Sequence, residues 1–530
     1  MSETAIKNNP DLEGLKAFFM RPLGVSLLAL AGLLILNLSC LDNPPYWDDI
    51  MGLHNQALWL AKNNFDVIKL WGPGQNYLQG GSNIYRLGIM PYFYGILYYL
   101  LPYKLVHIFG HVFNIVCISA AAGFSFSIMR KFKVDPPIAM IWCIAVLFEP
   151  VMAGRSAALG QECPLLLATV LSLYFVCREK YWLGMLFVVL AFLCKMTAGV
   201  LAAACLLWCI LVIIMEGRDW KQKFKNLLPF MISNLLLVLL FLYMNFWAPF
   251  ADLGAGIQWR HFFDNIKYYF LVLMPVQALA LIIIAVLAVW RIAVLIRQRN
   301  ISNINDKDKF SLLLIILLGG FWTSYVLFHT SLPRYSAFVM FPMYMFIALN
   351  SSDKKKLSGI FAIILLICGI TNLSGNFYPG MRFYHLRSGE SLERSREYIN
   401  DIWSNQALCK LLETKYYDRP IVTKWPYSQM LTIPEMGYVS KPLPNVYCAC
   451  PLIKYGKVKF YGIDTKMPSD SMYIFVHNSH EFWRAFGPSL KPEKSQVKNV
   501  IFADQYRNGW IYVYEKKTLE KSSKNAGRKK

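Results

Sequence analysis

The chain has 530 residues, 56% of them hydrophobic and 15% aromatic, with 16% charged where a soluble domain carries about 25%. Its net charge of +22 does not describe a nucleic-acid interface, because the basic residues fall in short clusters between apolar runs and not on one face of a soluble domain. The composition excludes a purely soluble protein and divides the chain into a membrane region, to about residue 375, and a globular remainder.

A spanning helix needs about 20 apolar residues, because the bilayer core offers the backbone no hydrogen-bond partners. After a cytoplasmic tail (1–21), the uncharged run 22–41 is followed by no small-residue cleavage pattern and reads as a retained anchor. Further spans are expected over 105–129, 136–153, 158–177, 181–198, 199–215, 226–248, 266–290, 310–328, 333–349 and 357–374. The expectation is a polytopic α-helical membrane protein of about eleven spans, within a range of ten to thirteen. Leu87–Leu101, rich in tyrosine with Gly88, Pro91 and Gly95, reads as an interfacial or re-entrant element. Nine of the twelve cysteines lie in or beside apolar runs, where they act as small hydrophobes. Cys448-Ala-Cys450 is a weak metal or disulfide signal.

With the N-terminus inside, the inner loops gather seventeen basic residues, from Arg130-Lys131 to Lys354-Lys355-Lys356. The short outer connections hold five: Arg155, Lys195, Arg260, Lys267 and Arg334. This asymmetry supports the threading and places residues 42 to about 90 and the C-terminal domain outside. No fixed-period repeat is apparent.

The first outer loop opens Asn43-Pro44-Pro45-Tyr46-Trp47-Asp48-Asp49. From Asp48 to Asn63, Ile50, Leu53, Ala57 and Leu60 fall on one helical face, as in an amphipathic helix on the membrane surface. Asp48 and Asp49 sit at its first turn, where the helix end favours anions. They either cap the helix or act on a substrate. Arg86, Arg155, Lys195 and Arg334 form a cationic rim on the same side, each a costly group at membrane depth or a snorkelling one. Glu149, just before Pro150, reads as a structural partner of Arg155, with sugar or metal binding as the other reading. His54, Tyr85, Gln161 and His329 face the same side and are candidates for sugar hydroxyls. His107 and His111, one turn apart, read as a satisfied pair in the bundle before a metal site.

In the C-terminal region, 376–515, a helix is expected over Ser391–Glu413 and short strands over 420–423, 457–461, 472–476, 500–502 and 510–514. The expectation is a small extracytoplasmic α/β domain without a catalytic constellation. The lysine-rich tail 516–530 reads as disordered.

Five segments together resemble the C-type superfamily of membrane glycosyltransferases: Asp48-Asp49 within Tyr46–Ile50, Pro91-Tyr92-Phe93-Tyr94, Arg155-Ser156 with Glu162-Cys163-Pro164, Lys195-Met196-Thr197-Ala198-Gly199, and Arg334-Tyr335 with Pro342. The order matches across roughly residues 40–350. The kin are bacterial enzymes that modify lipid A or other envelope glycans, and protein mannosyltransferases. The segment Arg86–Pro91 departs from the family pattern. The resemblance implies inverting transfer from a polyprenyl-phosphate sugar to a lipid, glycan or protein acceptor, on the outer face of a bacterial inner membrane. It implies Asp48 as general base and Asp49 as an orienting residue or metal partner. By the same resemblance Arg86, Arg155, Lys195 and Arg334 are phosphate ligands, and Tyr46, Trp47, His54, Tyr85, Glu149, Gln161, Glu162 and Tyr335 line the substrate site. A divalent metal, if used, falls to Asp49 and Glu162. A flippase or transporter of lipid-linked glycans, or a polysaccharide polymerase or ligase, would use the same cationic rim without needing Asp48 as a base.

Overall fold

A computed structural model describes residues 18–46, 49–66, 88–216, 219–244, 266, 275–297, 304–327, 333–373, 396–423, 426–448, 453–455, 458–460, 472–477, 503–506 and 509–515. Trp47, Asp48, Tyr85, Arg86, His329, Ser391 and Cys450 lie outside the described residues, as do residues 1–17 and 516–530.

Among the described residues, seven helical stretches are long and apolar enough to cross a membrane: Pro22–Cys40, Tyr103–Lys131, Met196–Met215, Trp220–Leu242, Val276–Val294, Asp306–Leu327 and Lys355–Asn372. An eighth arises if Pro136–Leu147 and Pro150–Ser156, which meet at 68°, form one broken span. The chain is a polytopic helical membrane protein. In chain order the helices are α1 (Pro22–Asn37), α2 (Asn55–Lys62), α3 (Met90–Leu100), α4 (Tyr103–Lys131), α5 (Pro136–Leu147), α6 (Pro150–Ser156), α7 (Glu162–Val176) and α8 (Tyr181–Cys194). There follow α9 (Gly199–Met215), α10 (Trp220–Leu242), α11 (Pro275–Arg297), α12 (Asp306–Leu327), α13 (Met340–Ser351) and α14 (Lys355–Asn372).

Three segments expected to span are shorter helices here, with a physical reason in each case. Residues 158–177 begin with a turn, so that α7 starts only at Glu162. The run 181–198 is cut at Lys195, which is extended. Residues 333–349 start as a 3₁₀ helix, Pro333–Val339, before α13, all twelve of whose residues are buried. A helix covered on every side belongs to the middle of the bundle, not to its lipid face.

Small residues bring the first span close to α4. A β-carbon at Gly123 would lie 2.1 Å from Ser26 Oγ and 2.6 Å from the Pro22 carbonyl oxygen. Close backbone approach through small residues drives helix association where lipid is as apolar as leucine.

The helix ends that carry the basic clusters are neighbours of one another. Lys355 reaches Asp135 at 2.9 Å, Lys223 reaches Glu179 at 2.9 Å and Glu216 at 3.7 Å, Lys309 reaches Glu216 at 3.1 Å, and Arg291 pairs with Asp308. Arg155, Lys195 and Arg334 gather elsewhere, around Glu162.

The segment after Asp49 departs from the expected surface helix. Ile50–His54 forms a π turn and α2 follows. Not only its apolar face but also His54, Asn55 and Gln56 are buried. Leu53 and Ala57 join the main apolar core, Leu60 packs beside Trp59, Phe65 and Tyr92, and Ile50 shares a cluster with Leu408, Leu412, Met430 and Leu431, so protein covers the stripe that a membrane surface was expected to cover.

That region contains a 3₁₀ turn (Arg396–Tyr398), α15 (Ile399–Lys415), β1 (Ile421–Thr423), α16 (Tyr427–Thr432), β2 (Val446–Cys448), β3 (Ile453–Tyr455), β4 (Val458–Phe460), β5 (Met472–His477), β6 (Ala503–Tyr506) and β7 (Gly509–Glu515). The sheet order is β2-β1-β5-β7-β6, with β1 parallel to β2 and β5, and β7 antiparallel to β5 and β6. The strands β3 and β4 pair separately. The strand expected at 500–502 lies outside the described residues, and β2 and β3 had no predicted counterpart.

Gly123→Ala is expected to lower stability by roughly 1–3 kcal/mol, the ordinary cost of overpacking. Gly32, which has open space around it, serves as the control. Unfolding of both variants in detergent checks this: equal transition midpoints for Gly123→Ala and Gly32→Ala would refute the packing role.

Candidate functional site

The break between α5 and α6 begins the site. A residue before proline is pushed out of the helical region, and Glu149 adopts φ −62°, ψ 132° ahead of Pro150. It caps α6 by accepting from the Met152 N–H at 2.9 Å. Its other oxygen accepts from the Gln277 side-chain amide. The expected pairing of Glu149 with Arg155 is therefore not made. Arg155 lies six residues on, roughly 9 Å further along the helix axis at about 1.5 Å per residue.

That short helix presents Arg155 in its last turn. The link 157–161 turns back, held by Asn114, whose amide donates to the carbonyls of Ala158 at 2.7 Å and Gly160 at 3.2 Å. Glu162 then opens α7, where the helix N-terminus favours a carboxylate. Lys195 enters from the extended break after α8, with φ −158° and ψ 130°. Arg334 enters from the 3₁₀ helix before α13.

The three cations meet on one carboxylate. Lys195 Nζ donates to Glu162 Oε1 at 2.6 Å. Arg155 Nη1 stands 3.6 Å from Glu162 Oε2 and Arg334 Nε 3.7 Å from Oε1, both longer than a hydrogen bond. Arg155 Nη1 is also 4.0 Å from Asp49 Oδ2. All five residues are buried, with Arg155 only 2% exposed. The Tyr335 ring faces Lys195 at 4.2 Å and Arg334 at 5.3 Å, an aromatic surface for both cations. A β-carbon at Gly160 would lie 2.3 Å from Glu162 Oε2 and 3.3 Å from both Arg155 Nη1 and Asp49 Oδ1. Glycine is what lets the backbone pass this close to the charges.

Beside the cluster, His54 is buried between Tyr98, whose hydroxyl lies 2.7 Å from Nδ1, and the Leu159 carbonyl, 3.3 Å from Nε2. The carbonyl can only accept, so Nε2 carries the proton and Nδ1 accepts from Tyr98. Burial pushes the His54 pKa down to about 3. His107 lies 3.3 Å from the Tyr98 hydroxyl, and His111 donates to the Asn43 carbonyl at 2.9 Å. The other ring nitrogen of His111, Nδ1, is buried with no hydrogen-bond partner among the described residues, so the expectation of a fully satisfied histidine pair holds only in part.

Of the residues singled out from the sequence, Asp49, Arg155, Glu162, Lys195, Arg334 and Tyr335 converge. Tyr46 is buried nearby and donates to Asp401 at 2.8 Å. Gln161 is half-buried ahead of α7 and gives it no side-chain cap. Glu149 makes no ion pair among the described residues. Trp47, Asp48, Tyr85 and Arg86 lie outside them. Gly160, Asn114, Tyr398 and Asp401 were not anticipated, because nothing local in the sequence marks a partner that is distant along the chain.

Glu162 does not suit a metal ion. Lys195 already occupies one of its oxygens and two guanidinium groups flank it, so an added cation would meet three like charges within a few ångströms. No group of three or more potential ligands gathers among the described residues. The arrangement instead suits an anion brought to Arg155, Lys195 and Arg334.

Comparison of the chain with protein-family models, curated proteins and solved structures finds no match, so the functional argument rests on this geometry.

Removing one partner of a buried ion cluster leaves the others uncompensated, at a cost of about 3–5 kcal/mol. Glu162→Gln should destabilise the protein by about that amount, and adding Lys195→Met should recover part of it. Chemical unfolding in detergent reads both; a Glu162→Gln variant as stable as the parent would show that the carboxylate does not neutralise the cations.

His54 binds a proton in the unfolded chain near pH 6.5 but in the fold only near 3, so stability falls as pH drops through that window. Between pH 6.5 and 5 this amounts to about 1.5 kcal/mol. His54→Gln should flatten the unfolding profile by that amount, and unchanged pH dependence would contradict a neutral buried imidazole.

Proposed function

We propose that the protein transfers a sugar from a polyprenyl-phosphate donor to a hydroxyl acceptor on the non-cytoplasmic side of the membrane. The observation that carries this reading is the convergence of Arg155, Lys195 and Arg334, from three separate helix breaks, around Glu162 and within reach of Asp49. A lipid phosphate carries one negative charge while bonded to the sugar and gains another as that bond breaks. Fixed cations at the departing oxygen stabilise the charge where it develops. Guanidinium groups match phosphate geometry through paired donors, and lysine adds a point charge.

In the reaction, the acceptor oxygen attacks the anomeric carbon from the face opposite the phosphate. The carbon–oxygen bond to phosphate breaks, its electron pair leaves with the lipid phosphate, and Asp48 takes the acceptor's proton. Inversion at the anomeric carbon follows. Asp49, beside Arg155, orients the loop that carries Asp48. The broken helices support the same reading: irregular backbone at membrane depth is tolerated where it is buried in protein or lines a cavity. On the charge asymmetry of the loops, the site opens on the outer face, and the C-terminal α/β region lies over it. The acceptor is a lipid, a glycan or a protein.

The test uses purified protein with a synthetic polyprenyl-phosphate sugar and candidate acceptors. Asp48→Asn should lower kcat by about 10²–10⁴-fold, the usual contribution of a general base, with folding intact. Normal transfer by the Asn variant removes Asp48 from the chemistry. Loss of lipid translocation in vesicles without any transfer activity in the parent protein would make the protein a flippase instead.

A further inference from the structure

The proposed site draws its residues from Asp48 to Arg334, yet a segment near the other end of the chain reaches the same place. Tyr398, fully buried, faces the Arg155 guanidinium with its ring at 5.6 Å and donates its hydroxyl to the Gly154 carbonyl at 3.0 Å. It thereby holds both the side chain of Arg155 and the backbone that precedes it. Arg396 donates to the Leu36 carbonyl at 2.9 Å and to the Asn37 side chain, at the end of α1. Asn37 in turn donates to Ser156 Oγ at 2.9 Å, on the other side of Arg155.

The acidic loop is held by the same stretch. Tyr46 donates to Asp401 Oδ2 at 2.8 Å, and its ring lies 5.7 Å from that of Tyr398. Burial, reinforced by the Asp401 carboxylate, pushes the Tyr46 hydroxyl well above its ordinary pKa, so it stays a donor. Trp403 donates to Asn43 Oδ1 at 3.2 Å and Tyr438 to the Pro45 carbonyl at 3.0 Å. The two prolines and the tyrosine that lead into Asp48-Asp49 are thus tied down from the C-terminal side.

We propose that Arg396–Asp401 is a positioning element of the active site: Tyr398 fixes Arg155 for the lipid phosphate, and Asp401, through Tyr46, fixes the segment that leads toward the acidic pair. The C-terminal region is on this account part of the site and not a separate cover. A guanidinium on a short helix of seven residues has many rotamers to choose from; an aromatic face, a carbonyl anchored beneath it and a clamped Ser156 leave few. The inference rests on the reading of Arg155 as a phosphate ligand.

The test measures binding of undecaprenyl phosphate to the full-length protein in nanodiscs. Arg155→Ala should weaken binding about 10-fold or more. Tyr398→Leu, which removes the ring, should weaken it about 5-fold, and Tyr398→Phe, which keeps the ring, by less than about 2-fold. In the double variant Arg155→Ala with Tyr398→Leu, binding should be no weaker than in Arg155→Ala alone, because Tyr398 acts only through Arg155. Independent, multiplying losses in the double variant, or unchanged binding by Tyr398→Leu, overturn the positioning role while leaving Arg155 as the ligand. Unchanged binding by Arg155→Ala instead overturns the functional reading. The clamp is then judged separately, by site-resolved mass spectrometry of phenylglyoxal modification. Faster modification of Arg155 in Tyr398→Leu than in Tyr398→Phe sustains the clamp, and equal rates overturn it.

Discussion

One buried carboxylate governs this structure. Glu162 meets Lys195 at hydrogen-bond length and draws Arg155 and Arg334 to within 4 Å. Each cation would be costly to bury alone, at several kcal/mol per ion even after relaxation. Glu162 gives the three helix breaks that carry them a shared counter-charge. With it, the breaks converge, and each break is itself legible as chemistry: Pro150 ends α5, Lys195 is extended between α8 and α9, and Pro333 opens a 3₁₀ helix. A bilayer permits such backbone where other protein surrounds it, and the full burial of α13 supplies that surround.

The two intramembrane acids make a useful contrast. Glu149 and Glu162 are both buried and both stand at the start of a helix, Glu149 at the break between α5 and α6 and Glu162 six residues past the end of α6. Glu149 meets a backbone N–H and a neutral amide, which satisfy hydrogen bonds without bringing opposite charge. Glu162 meets three cations. The first arrangement holds a helix in place, and the second stores positive charge beside a carboxylate. Only the second offers an incoming anion anything that water does not.

Much of this was readable from the sequence. The apolar runs located the helices, because a membrane demands length and apolarity and little else. The basic clusters identified which helix ends lie together. The candidate cations Arg155, Lys195 and Arg334 and the acid Glu162 stood out as ionisable groups at the edges of such runs. What stayed hidden was pairing. Glu149 and Arg155 are close in sequence and were matched for that reason, whereas the partner of Glu149 is Gln277. The amphipathic pattern of Ile50–Leu60 was read as a membrane-surface helix, and a hydrophobic stripe is the same whether lipid or protein covers it. Here the helix bundle covers Leu53 and Ala57, and Leu408, Leu412 and Met430 cover Ile50. Tyr398 shows only as one of the residues recurring at helical spacing with Ile402 and Leu408, and Asp401 carries no local signal, so nothing in the sequence points from either to Arg155 or Tyr46.

Those unannounced contacts bear on how the chain must fold. The loop after α1 is pinned by Asp401, Trp403 and Tyr438, and Arg155 is backed by Tyr398. These contacts join positions more than 200 residues apart, so they form only once the last span is in place. Closing so long a loop is entropically expensive, but the cost grows only logarithmically with length. A late-arriving segment can therefore set the final geometry of an early one: Tyr398 and Asp401 reach Arg155 and Tyr46 only when the C-terminal region docks.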